Sequence, residues 1–434
     1  MPNNGGIMLR WTFNRDRGLV TQIQTWLKTH RLDAALLLVV GLFGLWSGWQ
    51  ARQIIADDAM ITFRVAENLA FGRGFVFNPG EYVQVTTTPL YTLLVAAGTW
   101  LFGSAPAAAL ALNITLAALI PMLAYDTGRR LSGWITGLTG ALLLSITPLL
   151  VTAFSMESYL YAALFLASVN AYLARRYRLA GVAIGLTAML RGDAALVGAC
   201  ILTFDFVTTR RLRWAMIAPA IGLPLGWYAF AAVYYGSPLP ATLQAKTAQG
   251  KINWLGDYFI SGFGQYWHDW LKFYSRYFNV LPVLYLLGLI PVLRRERLWL
   301  IVIIHNLLYT AAFEGLRVTF AAWYYAPLTP GVALIIGRGV QLIAEAGEWL
   351  AGRLLRSEPA RRTAAVAVPL AVTAGFLLFA WQVVYPVTAD IIAANPDWKA
   401  QAYPPAARWI AQNTSTNATL ATIDIGHLGY WSGR

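Results

Sequence analysis

Runs of about twenty residues almost free of charge recur along this chain, and at about 1.5 Å per helical residue each is long enough to span a bilayer core. The clearest are "DAALLLVVGLFGLWSGW", "GWITGLTGALLLSITPLLVTAF", "WAMIAPAIGLPLGWYAFAAVYY" and "AAVAVPLAVTAGFLLFAWQVVY". In hydrocarbon every backbone polar group must be satisfied internally, which leaves helices or closed barrels. Unbroken apolar runs, rather than alternating ones, select helices. With 58% hydrophobic and only 12% charged residues over 434 positions, the chain reads as an all-α polytopic membrane protein.

A net charge of +13 would suggest nucleic acid in a soluble chain, so its placement has to be read first. Basic clusters fall at Arg10 to Arg31, ahead of the first apolar run, and at Arg129/Arg130, Arg175/Arg176/Arg178, Arg210/Arg211/Arg213, Arg294/Arg295/Arg297 and Arg353 to Arg362, each between two apolar runs. They alternate with loops that lack such clusters, as the positive-inside rule requires. With Arg338, that side holds 21 of the 33 basic and 8 of the 20 acidic residues, and so the whole excess. The other side balances at 12 and 12. The basic surplus is topological, and nucleic acid is not an expected partner. The lone Cys200 lies in an apolar run, which rules out an intramolecular disulfide.

Working outward from the clusters gives eleven spans, near 33–51, 105–126, 133–153, 157–174, 179–190, 194–208, 214–234, 274–293, 298–314, 323–343 and 363–385. The organisation expected is a cytoplasmic N-terminus (1–32), a transmembrane module (33–385) with outer loops 52–104 and 235–273, and an outer C-terminal segment (386–434). Segment 88–103 is apolar but short; counting it as a crossing would move every later cluster to the wrong face, so it reads as a re-entrant or interfacial helix. In the tail, "PPAARWIAQNT" reads as helix and "ATLATIDIG" as a strand opening a small α/β segment. No long-period repeat suggests the paired halves of a transporter.

Ionisable residues at the rim of a membrane core are costly and mark candidate sites. Asp57/Asp58, Glu157, Arg191, Asp193, Lys246, Glu314 and Arg317 all fall at the outer ends of predicted spans. An Asp at a helix N-terminus can simply cap it. Capping needs only one of the pair, and successive helical residues diverge by roughly 100°. One can cap while the other acts as a general base, its pKa raised beside an apolar surface. Glu157 admits the same two readings. Arg191 with Asp193 is either a buried ion pair or a cation presented to an anionic lipid head. Lys246 is a phosphate contact or a snorkelling lysine. His268, beside Asp269, is the one histidine in an outer loop, and the four histidines show no metal-ligand spacing. Tyr324, Tyr325, Trp254, Trp267 and Trp270 read as an aromatic belt, with sugar stacking as the alternative. No cofactor is predicted; the Asp57/Asp58 pair leaves a divalent metal open, but without a ligand cluster none is predicted there.

The stretch "DDAMITFRVAENLAFGRGFVFNPGE" followed by "TTTPLYTLLVA" resembles the first outer loop of bacterial GT-C-fold glycosyltransferases, among them arabinofuranosyltransferase B-like and mannosyltransferase-like members. Further matches follow in order. "FSMESYLYAALF" resembles the family's Gly-Met-Glu-Thr region, with Ser155 where Gly is usual, and "LRGDAALVGA" its Arg-Pro-Asp region, with Gly192 for Pro. "YYGSPLPATLQAKT" resembles its Gly-x-Pro-Leu-Pro-x-Thr-x-x-x-Lys loop, and "TIDIGHLGYWSGR" the start of its outer soluble domain. The resemblance implies an inverting transfer of sugar from a polyprenyl-phosphate donor to a glycan, lipid or protein acceptor. Asp58 or Asp57 would be the base, and Arg191 and Lys246, backed by Arg64 and Arg317, would hold the donor phosphate. Glu157, Asp193, Tyr324, Tyr325 and His268 would meet sugar or acceptor. A lipid or solute transporter and a noncatalytic membrane subunit are the rival readings.

Overall fold

The structure, a computed structural model, describes residues 31–242, 248, 258–318, 321–394 and 398–434. The expectations for the N-terminal segment before residue 31, for Lys246 and for Trp254 lie outside these residues. The first half of the bundle comprises α1 (Arg31–Gln50), α2 (Asp57–Ala70), α3 (Pro89–Phe102), α4 (Ala105–Leu131), α5 (Trp134–Ser145), α6 (Ser158–Leu173), α7 (Tyr177–Leu190) and α8 (Ala195–Thr209). The second comprises α9 (Trp214–Tyr234), α10 (Phe259–Phe273), α11 (Val280–Arg294), α12 (Leu300–Gly315), α13 (Thr329–Leu354) and α14 (Glu358–Val383). A tail of α15 (Tyr385–Ala393), α16 (Trp398–Asn413) and α17 (Gly426–Ser432) follows.

A helix occupies each of the eleven predicted spans, and among the described residues eight helical segments are long and apolar enough to cross a membrane. The run 133–153 is broken: α5 stops at Ser145, Thr147 is extended, and a one-turn helix Pro148–Val151 follows. Pro148 explains the break, because its ring disfavours helical backbone in the preceding residue and it has no N–H to give. The fourteen residues of α3 reach about 21 Å, short of a core of about 30 Å. It packs between α2 and α4.

The strand expected over "ATLATIDIG" does not form: residues 418–425 are irregular, and the described tail is helix and loop. A lone extended segment leaves its N–H and C=O groups unpaired, and no second strand lies among the described residues to pair with it.

Helix α13 lies at the centre, against α5, α11 and α14. Its crossing with α11 depends on two glycines. A Cβ on Gly339 would sit 2.0 Å from the Leu284 carbonyl oxygen, and one on Gly288 2.1 Å from that of Ile335. Close backbone approach through small residues is how helices associate in lipid. Gly339→Ala is therefore expected to lower the melting temperature in detergent, by an overpacking penalty of about 1–3 kcal/mol. Gly352→Ala, on the same helix with nothing within 4 Å, is expected to be neutral or stabilising.

Partly buried ion pairs fasten the helix ends. Arg129 meets Asp126 at 2.7 Å and Asp33 at 3.6 Å, Arg213 meets Asp205 at 2.9 Å, and Arg338 meets Glu296 at 2.9 Å. Among the described residues, each ion pair joins two residues that the charge pattern assigns to the same side.

Candidate active site

The chain leaves α1 through one 3-10 turn, runs extended through Ala56 and enters α2 at Asp57. Neither aspartate caps α2: its N-cap is Ala56, with no side-chain bond. Asp57 caps another helix instead. It is buried, its Oδ2 accepts from the Gly426 N–H at 3.1 Å, and its Oδ1 accepts from the His427 N–H at 2.8 Å, the first turn of α17. Only glycine permits this approach, since a Cβ at 426 would lie 1.9 Å from the Asp57 carbonyl oxygen.

Positions 57, 64 and 67 share one face of α2, and all three hold the tail. Arg64 donates through Nε to the Phe77 carbonyl at 2.9 Å and through Nη2 to Asn78 Oδ1 at 2.9 Å. Its Nη1 donates to the main-chain oxygens of Gly429 and Arg434, and its plane covers the Phe77 ring. Glu67 accepts from the Tyr430 hydroxyl, whose pKa burial and that carboxylate push well up, so the phenol remains a donor. Asp58 is turned roughly 100° from this face. It is exposed.

The broken span brings a second segment to the same place. Ala56 donates its N–H to Ser155 Oγ at 2.9 Å, and the Tyr91 hydroxyl donates to the Ser155 carbonyl at 3.0 Å. Two residues on, Glu157 leads into α6. Helix α7 ends because Arg191 is extended, at φ −151°, before the turn Gly192–Ala194. Its guanidinium donates from Nη1 to Glu157 Oε1 at 2.9 Å, from Nε to Asp193 Oδ1 at 3.0 Å and from Nη2 to Asp193 Oδ2 at 3.1 Å. Both Glu157 and Arg191 are buried. Tyr324 lies with its ring 6.0 Å from the guanidinium carbon, and its carbonyl accepts from Tyr309 at 2.9 Å.

Thus Glu157, Arg191, Asp193 and Tyr324 meet where α6 starts and α7 ends, and the Ala56–Ser155 bond ties the start of α2, with Asp57 and Asp58, to the segment that leads into Glu157. The others stand apart. Tyr325 donates its hydroxyl to the Phe259 carbonyl at 2.6 Å and so fastens the start of α10. His268 is exposed on α10. Arg317, in left-handed backbone at φ 51°, lies 5.9 Å from the Tyr258 ring. Among the described residues, no group of three or more His, Cys, Asp or Glu could hold a metal.

Sequence reasoning missed a cluster contributed by the tail. Lys399 Nζ meets Asp424 Oδ1 at 2.9 Å, and the Tyr403 hydroxyl donates to Asp424 Oδ2 at 2.9 Å. The charge of Asp57 reaches both Lys399 and Tyr403. Nothing near Lys399 in sequence marks it, because its partner lies far along the chain. Its ammonium holds the Asp424 carboxyl below the usual range; Asp424 in turn raises Lys399 against the opposing effect of burial. A lowered acid contributes stability above its unfolded pKa of about 3.9, and a raised base contributes below about 10.4. Protection of the tail from protease is therefore expected to be flat from about pH 5 to 9. It should fall as acid takes the pH down through the depressed Asp424 value.

Long apolar helices around such a rim define the class: this is a multi-pass membrane protein with the GT-C fold. The same architecture is seen in ArnT from Cupriavidus metallidurans bound to undecaprenyl phosphate, at a TM-score of 0.61 and 16% identity over 94% of this chain and 85% of that one. It is also seen in the archaeal oligosaccharyltransferase AglB from Archaeoglobus fulgidus, in complex with an inhibitory peptide and a dolichol-phosphate, at 0.62 and 13% over 94% and 64%.

In sequence, the chain is 29% identical over 260 residues to a terminal beta-(1->2)-arabinofuranosyltransferase of Mycobacterium tuberculosis, covering 54% of this chain and 41% of the relative. A protein of the same description from Corynebacterium glutamicum is 44% identical over 54 residues, 12% of this chain and 8% of that relative. The chain therefore matches about two fifths of the length of the first relative and less than a tenth of the second, at 41% and 8%. No protein-family profile matches.

Proposed function

We propose that the protein is a membrane glycosyltransferase that moves a sugar from a polyprenyl-phosphate donor to an acceptor hydroxyl with inversion, with Asp58 as general base. The observation that carries this reading is the division of labour in the aspartate pair. Asp57 is engaged by two main-chain N–H groups, while Asp58, the next residue, is turned about 100° from that face and is exposed. In the step proposed, the acceptor O–H proton passes to an Asp58 oxygen as the acceptor oxygen attacks the anomeric carbon. The bond from that carbon to the phosphate oxygen breaks, and prenyl phosphate leaves with the electron pair.

A guanidinium has five N–H donors, of which the two carboxylates use three on Arg191, so two remain for a phosphate oxygen. The cluster of one cation and two carboxylates is net negative, and stabilising a leaving phosphate calls for further cations. Lys246 supplies one by the resemblance, Lys399 is a candidate from the tail, and Arg317 stands behind. Arg64 is committed to the tail, and we assign it no phosphate. Glu157 and Asp193 hold Arg191, with oxygens left for sugar hydroxyls; Tyr324 walls that space, while Tyr325 and His268 are left for the acceptor approach.

We place the rim at the outer face of the plasma membrane, with the N-terminus cytoplasmic and the tail outside. The test is transfer in detergent from a panel of short-chain prenyl-phosphate pentoses and hexoses. Product with inverted anomeric configuration is expected; donor binding without turnover, or transport of the intact donor in liposomes, would sink the proposal.

A further inference from the structure

The tail cluster has a feature that holding the tail does not require. Trp398, next to Lys399, is 63% exposed, and a T-shaped contact with Tyr403 at 5.4 Å and 79° sets its ring. The Lys399 ammonium lies 5.8 Å from the centre of the same ring. An open indole, an ammonium and a phenol on α16 thus meet the carboxylate of Asp424, two residues before the Gly426 N–H that donates to Asp57.

We propose that this edge is a glycan-binding platform that delivers the acceptor to Asp58, an inference that rests on the glycosyltransferase reading. A sugar ring presents a face of C–H groups and a rim of hydroxyls that both donate and accept. The exposed indole matches the face, since Trp offers a large apolar plane with little conformational freedom to lose. Asp424 can only accept and Lys399 only donate, so the pair answers both halves of a hydroxyl rim. Each is about 30% exposed, at 29% for Lys399 and 30% for Asp424, so water or a ligand can reach them.

Exposed tryptophans beside a membrane also serve as interfacial anchors. The composition of this face argues against that occupant. Trp409, eleven residues on and 62% exposed, lies on the same face of α16, about 16 Å along the axis. Between the two, the exposed positions are Gln401, Ala402, Pro405, Ala406 and Arg408; the small Ala402 and Pro405 lie on the face of the indoles, and Gln401 and Arg408 flank it. A helix lying in the interface needs a continuous apolar stripe. With only Ala402 and Pro405 between the two indoles and Gln401 and Arg408 beside them, the face lacks the large aliphatic side chains that bury a helix in lipid, and two indoles so spaced suit a chain of sugars better.

The experiment is binding of an arabinofuranosyl and a mannosyl tetrasaccharide to the full chain in nanodiscs without donor, followed by saturation-transfer NMR. Wild type, Trp398→Ala, Trp398→Phe and the exposed control Trp100→Ala are compared. The expected result is binding of at least one glycan, weakened about tenfold or more by Trp398→Ala, largely restored by Trp398→Phe and unchanged in Trp100→Ala. No glycan binding by the wild type, or equal binding by Trp398→Ala, overturns the platform. So does loss of lipid association in Trp398→Ala at unchanged glycan affinity, which would make the residue a membrane anchor. Because no donor is present, these outcomes are independent of turnover. Trp398-dependent glycan binding in a protein that transfers no sugar would remove the transferase reading and leave the platform standing.

Discussion

Asp58→Asn is expected to reduce sugar transfer about 10²- to 10⁴-fold, the usual worth of a general base, with donor binding and melting temperature nearly unchanged. Asp58 is exposed, so an amide there buries no new polar group. Asp57→Asn should behave in the opposite way. An amide keeps one acceptor oxygen where the carboxylate had two, so one bond to the first turn of α17 is lost and the other ceases to be charge-assisted. Hydrogen bonds to charged groups contribute about 1.5–3 kcal/mol each, and the tail should become protease-sensitive before the bundle melts. Transfer would then fall indirectly, through the loosened tail. If Asp57→Asn abolishes transfer with the tail still protected while Asp58→Asn turns over normally, the roles are reversed and the assignment fails.

The bundle was legible because its signal is local. Twenty apolar residues between arginine clusters demand a membrane helix whatever the rest of the chain does, and each predicted span has a helix. Pro148 was an equally local signal for the break in 133–153, yet the apolar run masked it. The strand over "ATLATIDIG" failed for a complementary reason. Local β-propensity is weak evidence unless a partner strand exists, and partners are set by distant sequence.

The site was half legible. Glu157, Arg191 and Asp193 stand out as charges in apolar surroundings, and the structure joins all three. The work of Asp57 and Arg64 was hidden because their partners, Gly426, His427 and Gly429, contribute main-chain groups that carry no sequence signature. The spacing of Asp57, Arg64 and Glu67 on one helical face was the available clue: three ionisable groups in line on a short helix call for a polar partner along that whole face.

Arg191→Met is expected to lower stability by about 3–5 kcal/mol, as when one member of a buried charge cluster is removed and the rest are left uncompensated. The side chains of Arg191 and Glu157 are each 9% exposed and that of Asp193 is 20% exposed, so water cannot make good the loss. This variant alone cannot separate the two readings of the cluster, since an unfolded protein neither binds nor transfers. Arg191→Met/Glu157→Gln/Asp193→Asn does separate them. With both acids neutralised, no buried charge lacks a partner, and replacing a buried charge cluster by neutral groups of similar volume is often neutral or stabilising. Melting of the triple variant should therefore return to near the wild-type value. Transfer should stay low, because the two guanidinium N–H groups left over from the carboxylates have gone with the arginine. A triple variant that is stable and still transfers sugar at the wild-type rate would make the cluster an ion pair and nothing more, and the leaving phosphate would have to find its cations in Lys246 and Lys399.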